Sequence, residues 1–333
     1  MQSKHAKSPC CAARVRRFGS RRRQCVQCGH TWTVRPRRRG RPIHRTSAAA
    51  LHRVLVQGCT LGQLFSKRPG VALPAYRYRF RQALRRFVAR PTLQKLPRGP
   101  LVLLADGLWF EFDAIPWVLY LTALKPCRGD YATFLDPLLL PGREGASRWQ
   151  QAVAAIPPSV RHRIRALVVD NLPGMRTIAR QNQWVLQLCH FHLLLKLQAP
   201  RRTVRYALRG GPVRGEIHRL MRDALQLPDG QSMSRTLKRL RQLSRGDCGT
   251  LRIQTTVREF LGNWPLYRSY FTHPNLGLPL TTNAVESMCR LIREMLRSSR
   301  AGSNPASLLL WTTAFIRLRP TIKCNGHSFN RNS

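Results

Sequence analysis

Residues 101–107, LVLLADG, form an apolar run that ends in an aspartate, and Asp106 is the first acidic residue of the chain. The pattern predicts a buried strand in LVLLADGLWFEF (101–112) and a neighbouring strand in AIPWVLYLTAL (114–124). A third apolar strand, ALVVD (166–170), also ends in an aspartate, Asp170. Because a carboxylate at the end of a buried strand is costly, these two positions call for a group that neutralises them.

Further along, strands and helices alternate. Helical patterns occur at MRTIARQNQ (175–183) and HFHLLLKLQ (190–198), on either side of a short strand at WVLQLC (184–189). This alternation predicts an α/β fold with a mixed sheet. Residues 200–280 are predicted to be mostly helical, and TTNAVESMCRLIREMLR (281–297) predicts another helix.

The charge of the chain points to nucleic acid as the partner. With 58 Lys+Arg and 14 Asp+Glu in 333 residues, the formal net charge is +44, which favours phosphate-rich partners. An anionic membrane is the alternative, but no apolar stretch approaches the ~20 residues of a membrane span. The N-terminal residues lack the apolar core of a signal peptide, so we expect a cytosolic protein with reduced cysteines. Aromatic residues are only 8% and form no stacking platform, which argues against an RNA-binding module.

Residues 1–40 predict a zinc-ribbon-like basic arm. Cys25 and Cys28 form a CxxC knuckle followed by Gly29, a pattern that aims two thiolates at one metal. Cys11, together with Cys10 or His5, is the candidate for the other half of a Zn²⁺ site. The first knuckle is irregular, so a basic arm with incidental cysteines remains the alternative.

Residues 41–95 predict a helix-turn-helix DNA-binding domain. In PAYRYRFRQALRRFVARP (74–91), apolar side chains recur at helical spacing while the arginines lie elsewhere around the helix. A helix of this kind could lie in a DNA groove, with contacts from Arg77, Arg81 and Arg85. The alternative is an ordinary basic amphipathic helix.

The two strand-end aspartates suggest a catalytic metal centre. If their strands are neighbours, Asp106 and Asp170 lie at one edge of the sheet, where their repulsion is relieved by a divalent cation. Oxygen ligands suit Mg²⁺ or Mn²⁺, and a pair of such ions about 4 Å apart supports phosphodiester chemistry. The alternative is that each aspartate is only a turn or cap residue.

A third acid and a CxxH pair complete the set of candidates. Glu286 stands in the first turn of a helix, where it could be a metal ligand or the partner of Asn283 in a capping box. Glu294, two turns later, is a possible substitute. Cys189 and His192 are three residues apart, and from chemistry alone a structural role is favoured for them.

Together these motifs resemble those of Mutator-like DDE transposases and related bacterial insertion-sequence transposases. The likeness rests on Asp106 in a DG-W strand, Asp170 in VVD, CHFHLLLKL (189–197) and Glu286 in TTNAVE, in that order, and it covers roughly residues 100–318. It implies an RNase H-like core of residues 96–200 and 281–318, interrupted by a helical insertion at 201–280 and followed by a tail at 319–333.

The resemblance also implies a function. Asp106, Asp170 and Glu286 would bind catalytic Mg²⁺ or Mn²⁺, and Cys189 with His192 would be the family's accompanying motif. The protein would bind the ends of a mobile DNA element in a prokaryotic cytosol, at the nucleoid, as a homodimer or higher oligomer. It would then catalyse DNA strand cleavage and strand transfer. A non-catalytic DNA-binding regulator derived from a transposase is the rival hypothesis.

Overall fold

The structure is a computed structural model, and it describes residues 7–19, 22–33, 48–65, 73–91, 96–172, 174–197, 211–245, 251–299 and 301–324. The candidate zinc ligand His5 lies outside these residues. The chain divides into two compact units, Met1–Thr46 and Ser47–Ser333.

The first unit contains a small antiparallel sheet. Its strands are β1 (Val15–Phe18), β2 (Arg22–Cys25) and β3 (Thr31–Thr33), in the order β1-β2-β3. Val15 pairs with Cys25, and a turn after Cys25 leads into β3. Gly29 has φ +73° in that turn, a left-handed conformation that favours glycine.

The second unit begins with three helices, α1 (Ala48–Leu55), α2 (Leu61–Phe65) and α3 (Leu73–Val88). The apolar face of α3 is buried through Tyr76, Phe80 and Leu84, while its arginines are exposed. The ring of Phe80 lies 5.5 Å from that of Trp311, close to the end of the described chain. These helices therefore pack within the same unit as the main sheet.

The remaining elements alternate as the sequence predicts. They are β4 (Leu101–Phe112), β5 (Ile115–Pro126), β6 (Tyr131–Phe134), β7 (Leu138–Pro141), α4 (Ala146–Ala154), α5 (Pro158–Arg161), β8 (Ile164–Val169), α6 (Met175–Gln181), β9 (Val185–Leu188), α7 (His190–Leu195), α8 (Gly211–Gln226), α9 (Gln231–Arg245), α10 (Leu251–Gly262), α11 (Trp264–Tyr267), α12 (Ser269–Thr272), α13 (Asn283–Ser299), α14 (Pro305–Leu318) and β10 (Thr321–Lys323). None of the helices within the described ranges is long and apolar enough to cross a membrane.

Seven strands in the described part of the chain form one mixed sheet, which confirms the α/β prediction. The strand order is β10-β6-β5-β4-β8-β9, and β7 also pairs with β5. β4 is antiparallel to β5 but parallel to β8, which in turn is parallel to β9. The sheet centre is buried on both sides, which explains why its strands are almost continuously apolar.

The alternation of side chains along β4 separates two core layers. Leu101, Leu103 and Ala105 face the layer that contains Trp149 of α4 and the helices of the insertion. Val102, Leu104 and Leu108 face the layer that contains α1, α3, α13 and α14. Because side chains in a strand alternate with period two, Asp106 belongs to this second face, toward α13.

The predicted strand at 101–112 is confirmed as β4, and Asp106 lies inside it rather than at its end: β5 pairs with β4 along its whole length, whereas pairing with β8 stops at Leu104. The predicted tail at 319–333 contains a strand, since Thr321–Lys323 form β10 against β6, and Cys324 after it is buried.

The turn between β8 and α6 depends on a glycine, which gives a test of the packing. Gly174 has φ +88°, and a Cβ there would overlap the Cβ of Ala146 at the start of α4. We expect Gly174→Ala to lower the free energy of unfolding by about 1–3 kcal/mol. The control is Gly215→Ala in α8, where a Cβ meets nothing within 4 Å and φ is not left-handed. It should stabilise the chain by about 0.5–1 kcal/mol. Urea unfolding of both variants measures these changes. If the two substitutions changed the free energy of unfolding equally, the close contact of Gly174 with Ala146 would be contradicted.

Candidate active site

Asp106 lies in β4, and Asp170 directly follows β8, the strand that runs parallel beside β4. The pairs Val102↔Ala166, Leu103↔Leu167 and Leu104↔Val168 fix the register, and its continuation places Asp106 opposite Asp170. Ala166 and Val168 share the core layer of Val102 and Leu104, so both aspartates belong to the sheet face that α13 covers. Adjacent strands are about 4.8 Å apart, which brings the two carboxylates into the same small volume.

Each aspartate is held by the backbone that follows it. The N–H of Gly107 donates to Asp106 Oδ1 (2.8 Å), and the N–H of Asn171 donates to Asp170 Oδ1 (2.6 Å). Burial raises the pKa of Asp106, and the negative charge of Asp170 raises it further, against the opposing effect of His192. The site therefore concentrates negative charge where water cannot fully screen it, an arrangement that a cation would stabilise.

Glu286 completes the set of carboxylates from the other side. It lies in the first turn of α13, whose apolar stripe of Val285, Met288 and Ile292 is fully buried. Burial, together with the charges of Asp106 and Asp170, raises the pKa of Glu286 to about 7. These interactions show that the three acids belong to one electrostatic site.

The capping-box alternative for Glu286 is not the arrangement found. Asn283 is already the first residue of α13, and Glu286 Oε1 accepts a hydrogen bond from the hydroxyl of Thr282 (3.1 Å). Glu294, the possible substitute, is exposed and lies 3.8 Å from Arg290. Of the two glutamates, it is Glu286 whose pKa the charges of the aspartates raise.

Cys189 and His192 are part of the same site. Cys189 is fully buried between β9 and α7, and the N–H of Thr282 donates to its sulfur (3.3 Å). His192 Nδ1 lies 3.7 Å from Glu286 Oε1. Burial disfavours the charged imidazolium, but Cys189, Asp170 and Asp106 outweigh it and raise the pKa of His192 to about 10. The geometry therefore places this pair beside the acids rather than in a separate part of the core.

A further carboxylate, Glu144, was not predicted from the sequence, and it lies near Asp106 but on the other face of β4, the one that Trp149 covers. It precedes α4, and its Oε1 accepts a hydrogen bond from the indole N–H of Trp149 (2.8 Å). Burial raises the pKa of Glu144, and both Asp106 and Asp170 contribute in the same direction. Gly107 provides the space for it, because a Cβ at position 107 would lie 2.7 Å from Glu144 Oε1. The glycine after Asp106 was the only signal in the sequence, and it did not identify the residue that needed the space.

The donor set of the acids fits a hard divalent cation. Asp106, Asp170 and Glu286 offer oxygen atoms from three elements, and their mutual repulsion is what Mg²⁺ or Mn²⁺ would relieve.

The N-terminal unit contains a separate cluster of four cysteines, Cys10, Cys11, Cys25 and Cys28, whose sulfur atoms lie within 4.8 Å of one another. The hydroxyl of Ser8 hydrogen-bonds the sulfur of Cys25 (3.2 Å) and lowers the pKa of that thiol to about 6. Four thiolates are a typical ligand set of structural zinc, so the cluster is compatible with a zinc site. Both cysteines of the adjacent pair Cys10 and Cys11 take part.

A basic pocket of about 610 Å³ lies between the N-terminal helices and the end of α13. Arg77 and Arg81 of α3 line it together with Arg297 of α13. Arg85, the third predicted DNA contact, is exposed on α3 outside this lining. Serine hydroxyls from residues 298–307 also line the pocket, so the lining is rich in donors for an anion.

The raised pKa of Glu286 gives a pH-dependent prediction for the metal-free protein. Between its ordinary value of 4.5 and about 7, the folded chain binds this proton more tightly than the unfolded chain, so wild-type stability falls as the pH rises. Glutamine cannot ionise, so Glu286→Gln should be more stable than wild type at pH 8 by roughly 1–3 kcal/mol.

The same variant should show little difference from wild type at pH 4.5, as followed by thermal unfolding in the presence of a chelator. Glu294→Gln on the exposed side of α13 is the control and should show no such pH dependence. A variant at 286 no more stable than wild type at pH 8 would contradict the electrostatic description.

Comparisons with known proteins give a sparse result. No family model matches the chain, and no curated protein matches it. Among solved structures, the chain is similar to one described as "CryoEM structure of simian T-cell lymphotropic virus intasome in complex with PP2A regulatory subunit B56 gamma". The identity is 15%, over 63% of this chain and 74% of that chain, with a TM-score of 0.20. This TM-score is too low to establish a common fold.

Proposed function

We propose that this protein is a DDE transposase, which binds the ends of a mobile DNA element and catalyses metal-dependent strand cleavage and strand transfer. The observation that carries the proposal is the register of β4 and β8. Continued by two residues beyond Leu104 and Val168, that register would set Asp106 opposite Asp170 on the sheet face covered by α13, which carries Glu286.

The sheet supports an RNase H-like core. Three consecutive antiparallel strands, β4 to β6, are extended beyond β4 by the parallel strands β8 and β9, which is the order of that fold. In the proposal, residues 96–200 and 281–318 form the core. The helices α8 to α10 belong to an insertion at 201–280, between the second aspartate and the glutamate.

The proposed chemistry needs no covalent protein intermediate. The bound metal pair would supply Lewis-acid activation of the attacking oxygen and stabilisation of the leaving oxygen. Asp106, Asp170 and Glu286 would hold that pair. In the first step a water oxygen attacks the phosphorus and the DNA 3′-oxygen leaves as a hydroxyl. In the second, that hydroxyl attacks a phosphodiester of the target, whose own 3′-oxygen leaves.

The proposed partner is double-stranded DNA. Arg77 and Arg81 line the basic pocket, Arg85 lies on the same helix, and the whole chain carries a net charge of +44.

The four-cysteine cluster is proposed to hold Zn²⁺ and to stabilise a basic ribbon, residues 1–40, that also contacts DNA. Residues 41–95 are proposed as the helix-turn-helix domain. Joining two element ends requires at least two protomers, so a homodimer or higher oligomer assembles on the DNA, in a prokaryotic cytosol.

A strand-joining assay tests the catalytic proposal. Purified protein is mixed with DNA carrying the sequences that flank its gene and with Mg²⁺ or Mn²⁺. We expect joined products from wild type and none from Asp170→Ala, because the variant cannot hold the metal pair. Asp130→Asn, an exposed aspartate outside the site, is the control and should retain activity.

The rival hypothesis, a DNA-binding regulator, makes the opposite prediction in this assay. Wild type would then bind the flanking sequences tightly and join nothing under either metal. The acids at 106, 170 and 286 would in that case be inherited without being used.

The basic pocket gives a second test, on DNA affinity. If Arg77 and Arg81 each contact a phosphate, the double variant Arg77→Ala/Arg81→Ala should weaken DNA binding. The slope of log K against log salt should also fall by about 0.9 per lost contact. Fluorescence anisotropy at several salt concentrations measures both quantities.

The matched control is Arg235→Ala, an exposed arginine on α9 outside the pocket. An unchanged salt slope in the double variant would exclude this pocket as a phosphate-binding surface.

A further inference from the structure

A second group of metal-ligand atoms adjoins the carboxylate pair, and its chemistry differs from that of the acids. We propose that Cys189, His192 and Glu286 form a binding site for a thiophilic divalent cation of the zinc class. One sulfur, one imidazole nitrogen and one carboxylate oxygen from these residues lie within 4.8 Å of one another.

Three elements, β9, α7 and α13, converge to make this arrangement. Cys189 directly follows β9, and His192 stands three residues later in α7, so the CxxH turn brings both side chains to one place. Glu286 meets them from the first turn of α13. Cys189 is fully buried, and His192 and Glu286 are about one-fifth exposed, which leaves a narrow opening to solvent.

The spacing of the atoms suits a tetrahedral ion. Metal–ligand bonds of about 2.0–2.3 Å place neighbouring ligand atoms roughly 3.4–3.7 Å apart. His192 Nδ1 and Glu286 Oε1 are separated by 3.7 Å, which is too long for a hydrogen bond. This Nδ1 is buried and makes no hydrogen bond among the described residues, so without a metal its only compensation there is the long ion pair with Glu286. A buried nitrogen without a hydrogen bond is costly, and a cation between it and Glu286 would satisfy both groups.

Thr282 supplies the supporting contacts that a metal site needs. Its backbone N–H donates to Cys189 Sγ (3.3 Å), and its hydroxyl donates to Glu286 Oε1 (3.1 Å). A donor directed at sulfur favours the thiolate, and donors that orient ligands strengthen metal binding. Thr282 is fully buried, so it is fixed in the position from which it holds two of the three ligands.

The ligand types separate this site from that of the acids. Sulfur and imidazole select zinc-like ions, whereas carboxylate oxygens alone suit Mg²⁺ or Mn²⁺. Glu286 belongs to both sites, so an ion bound to Cys189 and His192 withdraws it from Asp106 and Asp170. Zinc-class ions should therefore inhibit Mg²⁺-dependent strand joining. This consequence rests on the proposed function, whereas the binding site itself does not.

Titration of the full-length chain with Co²⁺ tests the binding site, because thiolate-bound cobalt has a characteristic charge-transfer absorption. We expect wild type to show absorption from both cysteine clusters. Cys189→Ser should lose one component and keep the component that depends on Cys25, and Cys25→Ser should show the reverse. Cys324→Ser, a buried cysteine outside both clusters, is the control and should keep both.

A near-isosteric variant guards against misfolding. Thr282→Val removes the hydroxyl but not the N–H, and it should weaken the Cys189-dependent Co²⁺ affinity by about 10–100-fold. The proposal is overturned if folded Cys189→Ser binds Co²⁺ with the stoichiometry and spectrum of wild type. An unchanged affinity in Thr282→Val overturns the supporting role of its hydroxyl, whereas the ligand set itself stands or falls with the result for Cys189→Ser.

Adding Zn²⁺ to the strand-joining assay distinguishes the two proposals. Loss of joining in wild type at constant Mg²⁺, together with the Cys189-dependent absorption, supports both. Absorption without joining under any metal supports the cation site and rejects the transposase. Mg²⁺-dependent joining without the Cys189-dependent absorption supports the transposase and rejects the cation site.

Discussion

The parallel pairing of β4 with β8 is the constraint on which the rest of the site depends. It aligns Asp106 with Asp170, and the period of the strands turns both toward α13. The same pairing stops at Leu104, while β5 continues to pair with β4 to Phe112. The carboxylates therefore stand where the sheet narrows and a neighbouring strand no longer covers them, so polar groups and ions can reach them although the strands are buried.

Burial and repulsion give this site its electrostatic character. Carboxylates close together in a poorly solvated place raise one another's pKa, as Asp106 and Glu286 show, and they favour the positive charge of His192. Without a cation this arrangement costs folding free energy. Because Lys and Arg outnumber Asp and Glu by 58 to 14, the chain as a whole nevertheless remains strongly attractive to an anionic polymer.

Cys189 and His192 help to position Glu286, although they offer a metal sulfur and nitrogen rather than carboxylate oxygen. Thr282 links the CxxH turn to the first turn of α13 through one backbone and one side-chain hydrogen bond. The position of Glu286 is consequently set by residues that approach from β9 and α7 as well as by its own helix. Any ion bound by the sulfur and the imidazole acts directly on the carboxylate that completes the acidic set.

The sequence by itself determined the class of the fold, because apolar runs and helical periods are local properties. It also identified Asp106, Asp170, Glu286 and the CxxH pair as candidates, since each stands at the end of, or inside, a recognisable local pattern. Only the tertiary structure decided which acids meet, because strand register and helix docking depend on contacts between residues far apart in the chain. Glu144 shows this as well: it is an ordinary loop residue in the sequence, and Gly107 leaves room for it on the other face of β4, where Trp149 holds it and its charge still acts on Asp106. The pairing of β10 could not be predicted either, since a strand ends where its partners stop rather than where its own pattern does.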